Sequence, residues 1–445
     1  MSLDLDHPEA RPIGSSSELV ALFHGAERKP DALKLGIEHE KLLFPRGASG
    51  PVAYEGPSGV GALLERLADR GYTPYRESDR DPPIALMRDA LTVSLEPGGQ
   101  FELSGSPQRT ARAAHEENLA HMKDIRAACE ALGLVPVGLG YRPFGTPAQM
   151  PWMPKHRYQA MREVLPRRGR YALDMMLMTA TGQVSLDWTD EADCVRKTQV
   201  GVRLGPLLIA LYANSPIVDG RRSEFLTFRS QVWTAVDPSR CGVPASMLDG
   251  SFSYAAYVEW ALDAKLLFLR RGGHYLQPDL TFRQLLAKGY EGKPATDSDW
   301  QDHLSTLFPE VRLKKVIEIR GADCVSLPLT GALGALWRGL FYDPTALADA
   351  ERLVGPMTSN EYAALQDEAR RKGLRGMFRG TPLAALATQM VELAQAGLRR
   401  LDPLDAPLLD PLLEVARSGR SPAEDVLAAF EAKTDPAAFV ERFAL

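Results

Sequence analysis

The chain has 445 residues, 45% hydrophobic and 24% charged, with 37 Gly and 33 Pro, which excludes disordered, collagen-like and disulfide-scaffold classes. Its 52 Lys plus Arg against 57 Asp plus Glu leave a net charge of −5, without the basic excess of a nucleic-acid or anionic-membrane binder. No apolar run approaches the roughly 18 residues of a spanning helix, and a mean hydropathy of −0.19 suits a soluble enzyme.

In chain order, MSLDLDHPEARP lacks the basic and apolar regions of a signal peptide. A Ser-rich cap then precedes the helical ELVALF, and LKLGIEHEKLLF (33–44) alternates as a strand. GVGALLERLADRGY (59–72) has helical period, and LTVSLEPGGQFELSG (91–105) reads as two strand halves around Pro97-Gly98-Gly99. There the glycines allow a turn or a close approach to a ligand. A long helix is expected from Arg109 to Leu132, stopping at Gly133. The short strand LVPVGLGY follows, and then a Pro-rich loop long enough to be functional, RPFGTPAQMPWMPKHRY.

MTATGQVSLDW (178–188) alternates again, and residues 190–216 are helical up to an Asn-Ser-Pro breaker. KKVIEIRGAD (314–323) is a strand, GALGALWRGLFYD begins an apolar helix, and the rest is Ala/Leu-rich helix. Two regions are expected: a catalytic unit over 1–345 and a helical C-terminal region, 346–445, packed on it. Four scattered cysteines (Cys129, Cys194, Cys241, Cys324) form no CxxC pair, which suits a reducing cytoplasm and supports neither zinc nor a disulfide framework.

Period-two alternation carries the chemistry. Glu38 and Glu40 share one strand face; Ser94 and Glu96, then Gln100 and Glu102, share another; Gln183 and Ser185 a third; Glu318 and Arg320 a fourth. Each opposite face is largely apolar. For one strand alone, a solvated outer face is the simpler reading. Glu-x-Glu, however, sets two carboxylates about 7 Å apart on one side, unfavourable unless a cation lies between them. Four such segments point to a sheet whose polar face lines a cleft for Mg²⁺ (or Mn²⁺), with Arg320 as a fork for phosphate or carboxylate. A metal-dependent hydrolase is disfavoured, because neither HxH nor HExxH occurs.

Taken together and in order, GIEHEK, SLEPGGQFELSG, MPKHRYQAMREVLPRRG, DMMLMTATGQVSLDW, LYANSPI, FRSQVWTAVDPSRCG and VIEIRGAD resemble the plant-type and proteobacterial branch of the glutamate–cysteine ligases, over about residues 30–345. The resemblance implies an α+β, glutamine-synthetase-like fold: a curved, mainly antiparallel sheet forming an active-site funnel, with helices packed outside. It implies ATP- and Mg²⁺-dependent ligation of the L-glutamate γ-carboxylate to the L-cysteine amine through γ-glutamyl phosphate, the first step of glutathione synthesis. Another γ-glutamyl ligase with a different amine is the alternative.

The implied metal acids are Glu38, Glu40, Glu96, Glu102 and Glu318, with Arg320 and Glu38 catalytic. Gln183, Asn214, Arg229, Trp233 and Arg240 are implied binders of substrate or nucleotide. The partners implied are small molecules only (glutamate, cysteine and ATP), with neither nucleic acid nor membrane, in a cytoplasmic monomer or homodimer. The chain departs from the family pattern at Met178, Gly182, Ser185 and Cys324–Leu327, positions near the expected substrate pocket.

Overall fold

A computed structural model describes residues 10–433 and 435–445; the leaderless reading of the first nine residues lies outside it. At its centre is a nine-stranded sheet. The strands are β1 (Leu35–Pro45), β2 (Thr73–Tyr75), β3 (Ala85–Arg88), β4 (Leu91–Leu95), β5 (Phe101–Ser104), β6 (Leu134–Val137), β7 (Thr181–Leu186), β8 (Val311–Leu313) and β9 (Ile317–Asp323). Their order is β8-β9-β7-β1-β5-β4-β3-β2, with β6 paired to the far half of β1, and every pairing is antiparallel.

Helices cover the sheet: α1 (Ser16–His24), α2 (Val60–Ala68), α3 (Ala111–Leu132), α4 (His156–Val164), α5 (Ala172–Met178), α6 (Glu191–Leu211), α7 (Phe228–Trp233), α8 (Asp297–Ser305), α9 (Leu327–Tyr342) and α10 (Leu383–Leu401). Local chemistry sets their ends. Thr110 Oγ1 accepts from Ala113 N at 3.1 Å at the start of α3, and Gly133 ends it at φ 65°. Asp190 caps α6 by accepting from Asp193 N at 2.9 Å.

The back face of the sheet packs on α3 and α9. Ile37 meets Gly334 of α9, and His39 Nδ1 lies 3.3 Å from Asn118 Oδ1 of α3. One continuous apolar core joins Val184, Leu186 and Ile319 of the sheet to Leu336 and Leu340 of α9, and onward to Met390 and Leu398 of α10. Residues beyond 345 therefore share a core with the sheet they cover. All four cysteines are unpaired.

The Gly98-Gly99 turn does both jobs glycine allows, with one difference from expectation. Gly99 takes φ +83°, and a Cβ on Gly98 would lie 2.4 Å from Leu177 O. The close approach is to α5 of the same chain rather than to a ligand. The Pro-rich loop is mostly a buttress: Arg142 donates to Leu43 O at 2.9 Å and stacks on Phe44. Its last residue but one, Arg157, enters the cleft described next.

Candidate active site

The register places the polar faces side by side. Glu40 sits directly opposite Glu102, and Glu102 opposite Ser94. In the neighbouring row Glu38 stands between Ser104 and Gln183. Opposed side chains of this kind have Cβ atoms about 5 Å apart, so the carboxylates predicted strand by strand form one acidic wall. Glu38, Glu40, Glu96 and Glu102 line a single cleft with Gln183, Arg229, Trp233 and Arg320. Arg157, Arg312, Phe308 and three methionines (Met161, Met175, Met176) also line it.

A bulge between Ile319 and Ala322 breaks the β9–β7 register and aims Arg320 at the cleft. There its Nη1 donates to Gln183 Oε1 at 2.8 Å. Arg229, at the start of α7, donates through Nη2 to Arg320 O at 3.0 Å. Behind it Asp323 accepts from Asn214 N (2.8 Å), Ser215 Oγ (2.6 Å) and Thr227 Oγ1 (2.9 Å), and lies 3.9 Å from Arg229 Nη1. Asp323 thus holds the strand end and the α7 start together. The Trp233 and Phe308 rings are 5.5 Å apart, and the Arg320 guanidinium lies over both.

The acids carry the electrostatic stress expected of them. Burial, then Glu102, push the Glu40 carboxyl up to about 8, against the opposing pull of Arg229. Burial, then Glu102 and Glu40, raise Glu96 well above its ordinary range. Glu40 Oε2 accepts from Thr181 N at 3.0 Å, and Ser104 Oγ donates to Glu102 Oε1 at 2.6 Å. Among the described residues, Glu96 Oε1, Arg229 Nε and Trp233 Nε1 are buried without a hydrogen-bond partner. Such atoms in a concave polar site are where a bound group completes the hydrogen bonding.

Three sequence-derived site residues are placed differently. Glu318 is 1% exposed and lies beside the cleft rather than in its lining. Arg312 Nε holds it at 2.5 Å, Lys314 forms a second ion pair, and Arg320 lies 3.6 Å away. Against the opposing cost of burial, those cations keep it strongly acidic. Asn214 is outside the cleft, its Nδ2 donating to Gly138 O (2.8 Å) and Cys324 O (2.7 Å), so its side-chain donors brace two loops. Arg240 is 0% exposed, tied to Asp237 at 2.7 Å and to Thr306 O at 3.0 Å, and reads as a strut. Neither of these two side chains is part of the cleft lining.

Arg157, Arg312, Lys314 and Asp323 were not picked out from the sequence. For Arg312 a signal existed. VRLKKVIEIR is a hairpin, and pairing its arms sets Arg312 opposite Glu318.

A cation-lined, acid-walled cleft on an antiparallel sheet, with apolar rings at its rim, defines a phosphoryl-handling enzyme. The family model described as "Glutamate-cysteine ligase family 2 (GCS2)" matches residues 34–441, and the chain belongs to that family. The chloroplastic glutamate–cysteine ligase of Brassica juncea is 37% identical over 414 residues, covering 92% of this chain and 80% of the relative. That of Medicago truncatula is 36% identical over 426 residues, covering 95% and 83%. The fold is shared with a Francisella tularensis glutamate–cysteine ligase solved with AMP, at TM-score 0.57 and 11% identity over 94% of this chain and 88% of that one.

Proposed function

We propose that this enzyme uses ATP to join the γ-carboxylate of L-glutamate to the amine of L-cysteine through γ-glutamyl phosphate, the first step of glutathione synthesis. The observation that carries the reading is that the family match spans every strand and side chain of the acid- and arginine-lined cleft. Phosphorylating a carboxylate brings two anions together. Arg320, Arg229 and Arg312 supply fixed positive charge where they meet, already oriented by Gln183, Asp323 and Glu318. The methionine wall and the Trp233–Phe308 rim keep water from an acyl phosphate that would otherwise hydrolyse.

A divalent cation, Mg²⁺ or Mn²⁺, fits the donor chemistry. Glu38, Glu40, Glu96 and Glu102 offer only oxygen, and two of them, Glu40 and Glu96, are raised by burial and then by neighbouring carboxylates. Among the described residues no three acids converge ready-made on one point, so binding involves side-chain adjustment, with Glu318 as a bordering carboxylate. When bound, such an ion would neutralise nucleotide and acyl phosphate charge.

Glutamate, cysteine and ATP are the proposed partners, acted on in a reducing cytoplasm by a monomer or homodimer. Of the residues departing from the family pattern at Cys324–Leu327, none lines the cleft, and all but Ser326 are buried. The case for another amine rests only on Met178 to Ser185, beside Thr179, Thr181 and Gln183.

The test is ADP release with ATP, Mg²⁺ and L-glutamate, with L-cysteine or a panel of amines, and mass detection of the product. Cysteine-dependent γ-glutamylcysteine is expected, and Glu38→Gln should lower turnover by at least about 10²-fold. Turnover with a different amine alone would move the substrate; ATP use with none would refute the ligase reading.

A further inference from the structure

Beside the β8–β9 turn lies a second, half-open cavity of about 250 Å³, lined by that turn, α1 and α8. Leu22 and Phe23 of α1 face Trp300 and Leu304 of α8, forming an apolar slot. Lys314 and Lys315 of the turn supply its positive charge. Trp300 is 1% exposed, and among the described residues its indole N–H finds no acceptor. A buried donor left unpaired is costly, so this wall of the pocket is polar-unsatisfied. The volume falls just below the range of drug-sized pockets, so it suits a smaller molecule.

Lys314 connects this cavity to the cleft. Its ammonium forms the ion pair with Glu318 described above, with its side chain 20% exposed. One cation thus serves a carboxylate bordering the candidate site and lines a cavity outside it.

We propose that this cavity binds a small organic anion with an aromatic or branched apolar body, whose carboxylate draws the Lys314 ammonium away from Glu318. The apolar body fills the Leu22–Trp300 slot, and Lys314 and Lys315 receive the charge. Glu318, relieved of one of its cations, then presents more negative charge to the cleft. Occupation of the cavity tightens cation binding there, and by linkage a cation in the cleft tightens the cavity.

The site is read by binding alone, so it stands apart from the ligase reading. The probe is 3-phenylpropanoate, titrated by calorimetry into the full chain, with neutral 3-phenylpropanamide as control. The acid should bind about tenfold more tightly than the amide, the scale of one partly buried charge contact. Lys315→Gln, an exposed change, should weaken the acid about fivefold while leaving the amide unchanged. Leu22→Trp, checked for folding by circular dichroism, should abolish both. Mn²⁺ affinity, measured without substrates, should rise severalfold with the acid bound. Equal binding of acid and amide, no binding of either, or insensitivity to Leu22→Trp would overturn the site; unchanged Mn²⁺ affinity would overturn its coupling to Glu318.

Discussion

Glu96 shows most plainly what the cleft costs when nothing is bound. Its carboxyl is raised by burial and by Glu102 and Glu40, and its Oε1 has no partner among the described residues. Evolved sites commonly hold such stress because function uses it. Glu96→Gln removes the repulsion and keeps the shape. The variant should unfold at higher urea than the parent, by about 1 kcal/mol, while losing about 10²-fold in turnover. Greater stability with full activity would separate Glu96 from the chemistry. Residue type told much of this story in advance, since four separate segments carry acids or amides on one strand face. It did not tell direction. Asn214 and Arg240 have the chemistry of substrate binders, yet contacts far along the chain at Gly138, Cys324 and Thr306, with neighbouring Asp237, consume their donors.

Among elements, β9 and α7 form the joint that positions Arg229, and Gly140 is its tightest point. A Cβ there would fall 2.4 Å from the Asp323 side chain, so Gly140→Ala must dislodge Asp323. The expected result is a loss of about 2 kcal/mol in stability and a raised KM for glutamate at nearly unchanged KM for ATP. Equal effects on both constants would indicate general loosening.

Helix α8 supplies a pH-dependent element. Burial holds His303 down at about 3, despite the bond between its Nε2 and Ala261 O at 2.8 Å. The unfolded chain binds a proton near 6.5 that the folded one refuses until about 3. Stability therefore falls as pH drops through that window, by about 1.4 kcal/mol per unit for this one group. Urea unfolding at pH 7, 6 and 5 should show a shallower acid loss in His303→Gln than in the parent. An identical slope in the two proteins would refute this assignment. Alternation recovered β1, β4, β5, β7 and β9 with their faces, because a period of two is a local property. Their neighbours in the sheet come from distant stretches of chain, and that order has no local signature.

At the scale of the whole molecule the helical C-terminal region does more than pack. Asp405, fully buried, accepts from Ala111 N at 2.8 Å and Arg112 N at 3.0 Å, capping α3, and pairs with Arg338 of α9 at 3.0 Å. A chain ended at residue 345 would expose the α9 face that meets α10 and strip Arg338 of its ion-pair partner. It should fail to give cooperative unfolding, whereas far-ultraviolet circular dichroism and tryptophan fluorescence of the full chain should report one coincident transition. Separate transitions would show two independently stable units.

The strand order also has a consequence for how the protein is made. β1, β7 and β9 are adjacent, yet residues 35–45, 181–186 and 317–323 leave the ribosome far apart in time. Until β9 arrives, β7 is an open edge with unpaired backbone groups, ready to recruit another nascent chain. Productive folding therefore waits until β9 has been translated, and chaperone supply rather than equilibrium stability should limit the yield of active protein in a rapidly expressing cell.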